Sequence, residues 1–422
     1  MARSRDPMVP ARASRRAISR RRWGYRAAAR WGRQHPFLDR QLFCPALGSY
    51  LLAWVSPAVR VTRPLTVVEL GADRFLTRDT LPRSARQGAG RIAYHHITSN
   101  NISISVFMVQ ETPEPAMRFK WIPIALGLIF MLSPTIGWLV DTLWLTLFAG
   151  IFLIPLLEWA WHDRSRSPGP PWQWPRGFFQ LTALSVVAQT IGLCVIAGEM
   201  SEIDAITIGL SAGYVAGGTG IVLAHELGHR KHWFDRAIAR LCLITVGYGH
   251  YLIEHNHGHH RYAATWQDPA TARKNESLWR FFPRYFSGVW KQAWRLSSQR
   301  NHQPNEALVM LACWLLILLS VTLTLGSVAF FFLITQAIVA QLLVGSVDYF
   351  EHWGLQRQTV SSRHERLSHK HIWDCANPVS ELLLFNLPRH SSHHLQPWLT
   401  ANELKRESQS PQLPTGYAGM IV

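Results

Sequence analysis

Six runs of mostly apolar residues, each about 20 residues long, constrain this chain more than any other feature of its sequence. They cover approximately residues 120–139, 142–161, 178–198, 204–224, 307–324 and 326–347. An α-helix of about 20 apolar residues spans the hydrocarbon core of a bilayer and satisfies all of its backbone hydrogen bonds internally. We therefore predict an all-α, multi-pass membrane protein with about six transmembrane helices.

The distribution of basic residues between these runs predicts the orientation of the chain in the membrane. Segment 230–306 contains twelve Lys and Arg residues, and Arg164, Arg166 and Arg176 lie in the connection 162–177. The three shorter connections contain no Lys or Arg. Because cytoplasmic loops carry an excess of Lys and Arg, we expect both termini and both longer connections on the cytoplasmic side.

Residues 1–107 differ in composition from the rest of the chain. They contain 19 Arg, no Lys and five acidic residues, and they therefore supply +14 of the total net charge of +17. The segment lacks periodicity and any nucleic-acid-binding motif, so we expect no nucleic-acid partner. We interpret it as a disordered extension or a mis-annotated start, since Met108 and Met117 both precede the first clear apolar run. Residues 108–418 would then form the membrane domain, and 419–422 a tail.

Ten histidines lie in four short clusters close to the apolar runs. The clusters contain His225 and His229; His255, His257, His259 and His260; His352; and His390, His393 and His394. Imidazole is a suitable ligand for iron, zinc and copper. Nine of the ten have ligand-like spacings, and nine donors indicate two metal ions. The predicted orientation brings all four clusters to the cytoplasmic face, where they can form one site.

The first cluster also allows a different interpretation. His225 and His229 project from the same face of a helix, and His-Glu-x-x-His is the signature of zinc proteases, with Glu226 as the general base. A zinc protease needs three protein ligands and one open position. That hypothesis leaves the other histidine clusters unexplained.

The glycines of the fourth apolar run have two interpretations that the sequence leaves open. This run contains Gly209, Gly213, Gly217, Gly218 and Gly220. Small residues let helices approach closely in lipid, so the glycines are typical of a tightly packed central helix. They could also leave room for a slender apolar substrate beside that helix.

The five cysteines argue against a thiolate-bound metal centre. Cys44, Cys194, Cys242, Cys313 and Cys375 are widely separated and form no Cys-x-x-Cys pair. Structural zinc sites and iron–sulfur clusters require closely spaced cysteines. We therefore expect that this chain carries no electron-transfer centre of its own.

The ordered histidine motifs resemble those of the alkane 1-monooxygenase family of integral-membrane, non-haem di-iron hydroxylases. These enzymes are related to xylene-type monooxygenases and, more distantly, to membrane fatty-acid desaturases. The resemblance covers about residues 118–418 and excludes 1–107. It is carried by His225-Glu-Leu-Gly-His-Arg230, Gly247-Tyr-Gly-His250, Glu254-His-Asn-x-Gly-His-His260, Asp268-Pro-Ala-Thr-Ala-Arg273, Asp348-Tyr-Phe-Glu-His-Trp-Gly-Leu355, Leu387-Pro-Arg-His-Ser-Ser-His-His394 and Pro414-Thr-Gly-Tyr417.

The resemblance implies a set of metal ligands and of residues around them. The implied iron ligands are His225, His229, His255, His259, His260, His352, His390, His393 and His394. Ligating imidazoles usually donate their second N–H to a carboxylate or a carbonyl. The candidates for outer positions are Glu226, Glu254, Asp268, Glu351, His250 and His371. His232 and His257 are expected to be solvated or structural.

The resemblance also implies an activity and its partners. The activity is hydroxylation of the terminal methyl of alkanes or similar hydrophobic chains, with O2 and two iron ions. The two electrons come from a rubredoxin-type donor and an NAD(P)H-dependent reductase, and the enzyme lies in a bacterial inner membrane. Other histidine-box oxidases, namely aryl-methyl hydroxylases and fatty-acyl desaturases or hydroxylases, are the main alternative.

Four positions depart from the usual family pattern. Asp348 and Asp374 replace Asn, Pro388 replaces Gln, and Ser392 replaces Asp. Ser392 removes a carboxylate from between two implied ligands, which would change the affinity or the potential of the iron. The chain also ends soon after Tyr417, where family members commonly continue.

Overall fold

The computed structural model describes residues 91–99, 102–110, 121–161, 170–299, 304–360 and 363–422. The chain divides into two compact units, Met1–Glu114 and Pro115–Val422. In the first unit, β1 (Arg91–Ser99) and β2 (Ile102–Gln110) form an antiparallel hairpin. Most of the Arg-rich segment 1–107 lies outside the described residues, so our interpretation of that segment stays a prediction.

The second unit is built almost entirely of helices. They are α1 (Trp121–Leu139), α2 (Leu145–Ala160), α3 (Phe178–Ala197), α4 (Glu202–Gly228), α5 (Trp233–Thr245), α6 (Tyr251–Glu254), α7 (His260–Tyr262), α8 (Leu278–Ser298), α9 (Glu306–Glu351), α10 (Pro378–Leu383), α11 (His390–Leu395) and α12 (Tyr417–Ile421). A short hairpin of β3 (Thr359–Val360) and β4 (Arg363–His364) and a 3₁₀ turn, His369–His371, lie between α9 and α10. The predicted helical architecture is confirmed.

Three of these helices are long and apolar enough to cross a membrane, namely α3, α4 and α9. The apolar stretches Ile124–Leu139 and Leu145–Ala160 of α1 and α2 are shorter. Large apolar side chains on their outer faces are exposed, for example Leu181 on α3 and Leu323 on α9. Such surfaces are expected where helices contact lipid instead of water.

Helix α9 consists of two halves that meet at Gly326. It has 46 residues, and Gly326 has φ 86°, a left-handed conformation that glycine adopts readily. Trp314, in the first half, lies against Gly247, while the Gln341 side chain, in the second half, donates to the Val246 carbonyl. Residues on both sides of Gly326 thus contact the same segment. The chain therefore doubles back at Gly326, and the two halves run antiparallel. The sequence placed this break at residue 325.

Three glycines of α4 make the close contact with the second half of α9. A Cβ at Gly209 would lie 3.0 Å from the Phe332 carbonyl oxygen, one at Gly213 2.8 Å from that of Gln336, and one at Gly217 2.9 Å from that of Ala340. These glycines recur every four residues and therefore form one stripe. They support the close-packing interpretation of the glycine-rich run.

The same contacts fix the relative direction of the two helices. The partners of Gly209, Gly213 and Gly217 advance along α9 in step with α4, so α4 and the second half of α9 run parallel. Helix α4 ends beside His225 and His229, and α9 ends at Glu351, immediately before His352. Parallel packing therefore brings the first and third histidine clusters to the same end of the bundle.

Candidate metal site

Nine histidines converge at this end of the bundle in two groups. The first group contains His225, His229, His255, His260 and His393, and the second contains His259, His352, His390 and His394. Within each group, the candidate ligand nitrogens all lie within 4.8 Å of one another. Seven of these side chains are buried, and His229 and His260 are partly buried. The sequence proposed the same nine residues as ligands.

The distances between the ring nitrogens fit metal ligation. The Nε2 atom of His260 lies 3.2 Å from Nε2 of His229, 3.0 Å from that of His255 and 3.1 Å from that of His393. A neutral imidazole has one N–H, so four Nε2 atoms that face each other cannot all be satisfied by hydrogen bonds. Metal–imidazole bonds are about 2.0–2.1 Å long. Two ligand nitrogens that subtend a right angle at the metal are therefore about 3.0 Å apart.

The second group has the same spacing. The Nε2 atom of His394 lies 3.1 Å from Nε2 of His259 and 3.0 Å from that of His390. The Nε2 atom of His390 in turn lies 3.2 Å from that of His352. Both donor sets therefore fit an imidazole-bound cation of the iron or zinc type.

Local helix geometry decides which group each ring joins. His225 and His229 are separated by four residues at the end of α4 and join the same group. His255 and His259 have the same separation, but they lie on a wider π-helical turn, His255–His259, and join different groups. In an ordinary α-helix, residues with this separation would lie on the same face, one turn apart. Turns of the π type are frequent at functional sites.

The α11 cluster is arranged as its spacing predicts. The first and last histidines, His390 and His394, share the second group, while His393 between them faces the first group. A single turn of helix therefore supplies ligands to both groups, because residues i and i+4 share a face and residue i+3 is adjacent.

Three rings of the first group are held in the neutral form that binds metals. Burial, together with the neighbouring imidazoles, holds the pKa values of His255, His260 and His393 well below the ordinary histidine value. A neutral imidazole offers a lone pair, whereas a protonated ring offers none. These positions can therefore bind a cation at neutral pH without first losing a proton.

Asp268 is the one candidate carboxylate that the described contacts place at the outer nitrogen of a proposed ligand. Its Oδ2 atom lies 3.0 Å from Nδ1 of His259 and accepts a 2.6 Å hydrogen bond from Thr271 Oγ1. The Ala270 backbone N–H donates to the other carboxylate oxygen. Asp268 is thus fixed in place and orients His259.

The other three candidate carboxylates have different surroundings. Glu226 accepts hydrogen bonds from Arg230, at 2.9 and 3.3 Å. Glu254 is buried beside Gly258. Glu351 accepts a short hydrogen bond from the Tyr417 hydroxyl, and its Oε2 atom lies 3.2 Å from Nε2 of His390. Glu351 therefore faces the metal-binding side of His390.

The remaining candidate histidines lie outside the two groups. His250 packs its ring between Tyr248 and Trp290. His371 contacts Ser368 through Nδ1 and Glu365 through Nε2, which closes the 3₁₀ turn. The His232 side chain accepts from the Phe234 N–H at the start of α5, and His257 is exposed.

Two further residues hold the last histidine cluster and were not singled out from the sequence as site residues. The buried Arg389 guanidinium pairs with both oxygens of Glu381, at 3.0 and 3.1 Å, and donates to the Pro170 and Leu404 carbonyls. Asp374 accepts from the backbone N–H and the hydroxyl of Ser391. Burial of these charges depends on the tertiary fold, and in sequence only Arg389 is signalled, by its position next to His390.

An apolar cavity opens onto both groups. Its walls include Gly218, Ile221, Val222, Val344, Leu384 and Leu387, and His225, His255 and His390 lie at its polar end with Asp348, Glu351 and Tyr417. A Cβ at Gly218 would meet no atom closer than 3.6 Å, in contrast to the stripe of Gly209, Gly213 and Gly217. Gly218 therefore supports the second interpretation of the glycine-rich run, because it leaves space beside the helix.

A largely helical membrane protein with nine converging histidines beside an apolar cavity belongs to the class of histidine-rich membrane oxidoreductases. In agreement, the sequence profile of the fatty acid desaturase family matches residues 205–421. This matched region contains every residue of the two histidine groups.

Relatives of known activity define the family more narrowly. The chain is 36% identical over 313 residues to alkane 1-monooxygenase 1 of Alcanivorax borkumensis, covering 69% of this chain and 76% of the relative. It is 34% identical over 330 residues to alkane 1-monooxygenase of Ectopseudomonas oleovorans, covering 72% and 81%. The hydroxylase component of the Pseudomonas putida xylene/toluene monooxygenase is 26% identical over 221 residues, covering 50% and 59%. The chain belongs to the alkane 1-monooxygenase family and is an oxidoreductase, which confirms the resemblance.

Proposed function

We propose that this protein is a di-iron monooxygenase that hydroxylates the terminal methyl group of alkanes or similar hydrophobic chains. The observation that carries the proposal is the arrangement of two histidine groups, with ligand-like nitrogen spacing, at one end of an apolar cavity. Membership of the alkane 1-monooxygenase family supports the same reaction.

The two histidine groups would each hold one iron ion, through five and four imidazoles respectively. With iron bound, the site gains the capacity to activate O2 and to attack an unactivated C–H bond. Asp268 keeps the His259 ring oriented. We place Glu254 and Glu226 outside the ligand set: Glu254 would support its neighbouring histidines, whereas Glu226 pairs with Arg230.

The cavity would bind the hydrocarbon chain. Its walls are formed by aliphatic side chains of α4, α9 and the 384–387 segment, and imidazoles of both groups complete its lining. An alkane has no polar group to recognise, so shape and exclusion of water determine how it binds. The chain end would therefore lie between the two proposed metal positions, with the rest of the chain along Gly218 and Val344.

Two carboxylates at the polar end of the cavity are held by tyrosines. The Tyr285 hydroxyl donates to Asp348 Oδ2 at 2.5 Å, and the Tyr417 hydroxyl donates to Glu351. We propose that Glu351 contributes an oxygen to the metal-facing side of the site, beside His390. Tyr417 would then act as a positioning residue, because it fixes the rotamer of that carboxylate.

We further propose six membrane crossings, with the metal site on the cytoplasmic side of a bacterial inner membrane. The crossings would be α1, α2, α3, α4 and the two halves of α9. Parallel packing of α4 against the second half of α9 supports this topology, because the fourth and sixth crossings must run in the same direction. The basic segment 230–306 would lie in the cytoplasm.

The electrons would come from a rubredoxin-type donor that is reduced by an NAD(P)H-dependent reductase. The four cysteines in the described part of the chain, Cys194, Cys242, Cys313 and Cys375, are free thiols, and none of them pairs with another. These thiols form no cysteine-bound electron carrier, so we propose that the reaction draws its electrons from an external donor. The basic cytoplasmic surface would attract an acidic donor.

Product analysis with isotopically labelled O2 tests the proposed reaction. Detergent-purified, iron-loaded protein is supplied with an n-alkane, ¹⁸O2 and reduced rubredoxin, and we expect a primary alcohol that contains one labelled oxygen. An alkene without label would instead identify a desaturase, which the family profile also allows. Labelled benzylic alcohol from xylene, with no product from alkanes, would identify an aryl-methyl hydroxylase.

The protease hypothesis predicts a different response to mutation. His390 lies outside the His225-Glu-Leu-Gly-His229 motif, so His390→Ala should leave a zinc protease active. The same substitution removes a member of the second histidine group and should abolish an oxygenase. The pairing of Glu226 with Arg230 also argues against Glu226 as a free general base.

A further inference from the structure

We propose that electrons reach the metal site along a chain of aromatic rings that starts at Trp294 on α8 and ends at His255. The surface around Trp294 would be the docking site of an acidic one-electron donor protein. This inference rests on the proposed function, since only a redox reaction at the histidine groups requires an electron route.

The rings follow one another without interruption. The centroid distances are 6.1 Å for Trp294–Trp290, 4.9 Å for Trp290–His250, 4.9 Å for His250–Tyr248, 5.2 Å for Tyr248–Tyr251 and 5.0 Å for Tyr251–His255. The last two pairs are stacked, with interplanar angles of 25° and 27°. The π orbitals of such rings couple electronically better than saturated side chains do, so a continuous series of contacts favours electron tunnelling.

The inner part of the chain is shielded from solvent, whereas its outer end is accessible. Tyr248 is 1% exposed and Tyr251 4%, and Trp294 is 42% exposed. His255 at the inner end belongs to the first histidine group. The series therefore connects the protein surface directly to a proposed metal ligand.

Two basic side chains lie beside Trp294, namely Lys291 and Arg295, and helix α8 contains no acidic residue. Lys291 and Arg295 are exposed three positions before and one position after Trp294, so they flank the indole. A partner with negative charge around its redox centre would be steered to this surface, and the steering would weaken as salt increases.

Trp279, at the opposite end of α8, provides a matched comparison. It is 81% exposed. Its ring contacts lead to Tyr248 through Phe282 and Phe286, at 6.3, 5.8 and 6.4 Å. These contacts are mostly longer than those of the Trp294 chain, so electron tunnelling along them is slower. We therefore assign electron entry to Trp294.

The electron count of the reaction is satisfied by two passages along this route. One alkane, one O2, two electrons and two protons give one alcohol and one water. Each donor molecule is oxidised by one electron, so two donors react in sequence. The aromatic residues carry the electrons and are chemically unchanged at the end of the cycle.

Anaerobic stopped-flow reduction of the iron-loaded full chain by reduced rubredoxin tests the route without substrate turnover. The absorbance change of the donor reports each electron that leaves it. At saturating donor, we expect Trp290→Leu to slow the transfer at least tenfold and Trp290→Tyr to restore most of the rate. Trp294→Leu should raise the donor concentration that gives half of the maximal rate. Trp279→Leu is the matched control and should behave as wild type.

Iron content is measured for every variant, so loss of metal is not mistaken for loss of the route. Wild-type transfer rates in both Trp290→Leu and Trp294→Leu, with full iron, would overturn the proposal. Equally slow transfer in Trp290→Tyr and Trp290→Leu would also overturn it, since packing would then explain the effect. If Trp290→Leu loses iron, the result for the surface variant Trp294→Leu determines whether the proposal stands. Failure of the proposed function is distinguishable, because wild-type protein reduced by dithionite would then form no alcohol.

Discussion

Single residues around the histidines determine how well each imidazole is presented to a metal. Asp268 accepts from Thr271 and from the Ala270 backbone, and its Oδ2 atom lies 3.0 Å from Nδ1 of His259. Carboxylates in this position orient the ring and increase its basicity. We predict that Asp268→Asn weakens iron binding by about 10–100-fold, the range typical for loss of such a partner. Competition with a chelator of known affinity measures this change.

Glu226→Gln is the matched control for that substitution. Glu226 lies between two proposed ligands in sequence, His225 and His229, but its carboxylate pairs with Arg230. Its substitution should leave iron affinity unchanged. Equal losses in Asp268→Asn and Glu226→Gln would show that the contact to His259 is not the cause.

A buried ion pair between Arg389 and Glu381 stabilises the segment that contains the last histidine cluster. Its side chain is 1% exposed and the side chain of Glu381 is 2% exposed, and the two form parallel hydrogen bonds. Removal of one member of a buried ion pair destabilises a protein by about 3–5 kcal/mol. Because Glu381 would keep Arg406, at 2.6 Å, as a partner, we expect a loss at the lower end of that range. We predict this loss for Arg389→Met, measured by chemical unfolding in detergent, together with loss of bound iron.

A surface ion pair provides the comparison for Arg389. Arg240 pairs with Glu306 at 2.7 Å, with its side chain 37% exposed. Because exposed pairs contribute about 0–1 kcal/mol, Arg240→Met should have little effect on unfolding. A loss in Arg240→Met as large as that in Arg389→Met would contradict our account of the buried pair.

At the scale of helices, the glycines of α4 have two separable roles. A Cβ at Gly213 would lie 2.7 Å from Val339 Cβ, whereas one at Gly218 would lie 3.6 Å from its nearest neighbour, Leu343 Cδ2. We predict that Gly213→Ala destabilises the protein by about 1–3 kcal/mol through overpacking, and that Gly218→Ala folds normally. Thermal unfolding in detergent compares them. The reverse order of stabilities would contradict the helix contact described here.

The long apolar helices could be predicted because they depend on local sequence. Apolar runs gave the positions of the long helices, and Gly326 follows directly after the predicted break in α9. The sequence could not separate the roles of Gly213 and Gly218, because these depend on which neighbour each faces. It also could not show that His255 and His259 diverge, because a π-helical turn has no clear signal in sequence.

At the scale of the whole molecule, the metal site is a product of topology. Its nine histidines are spread from His225 to His394, and parallel packing of α4 and α9 brings the first and third clusters together. The candidate ligands could be named from sequence because the family resemblance rests on short local motifs. The supporting contacts of Arg389, Asp374 and Tyr417 join segments that are distant in sequence, so they needed the structure.

Metal analysis of the purified, detergent-solubilised chain beside His390→Ala tests the central claim most directly. His390 belongs to the second histidine group and contacts His352 and His394. We predict about two iron ions per chain in the wild type, one for each donor set, and a sharp reduction in the variant. One zinc ion per chain, unchanged in His390→Ala, would contradict the di-iron site and favour the protease hypothesis.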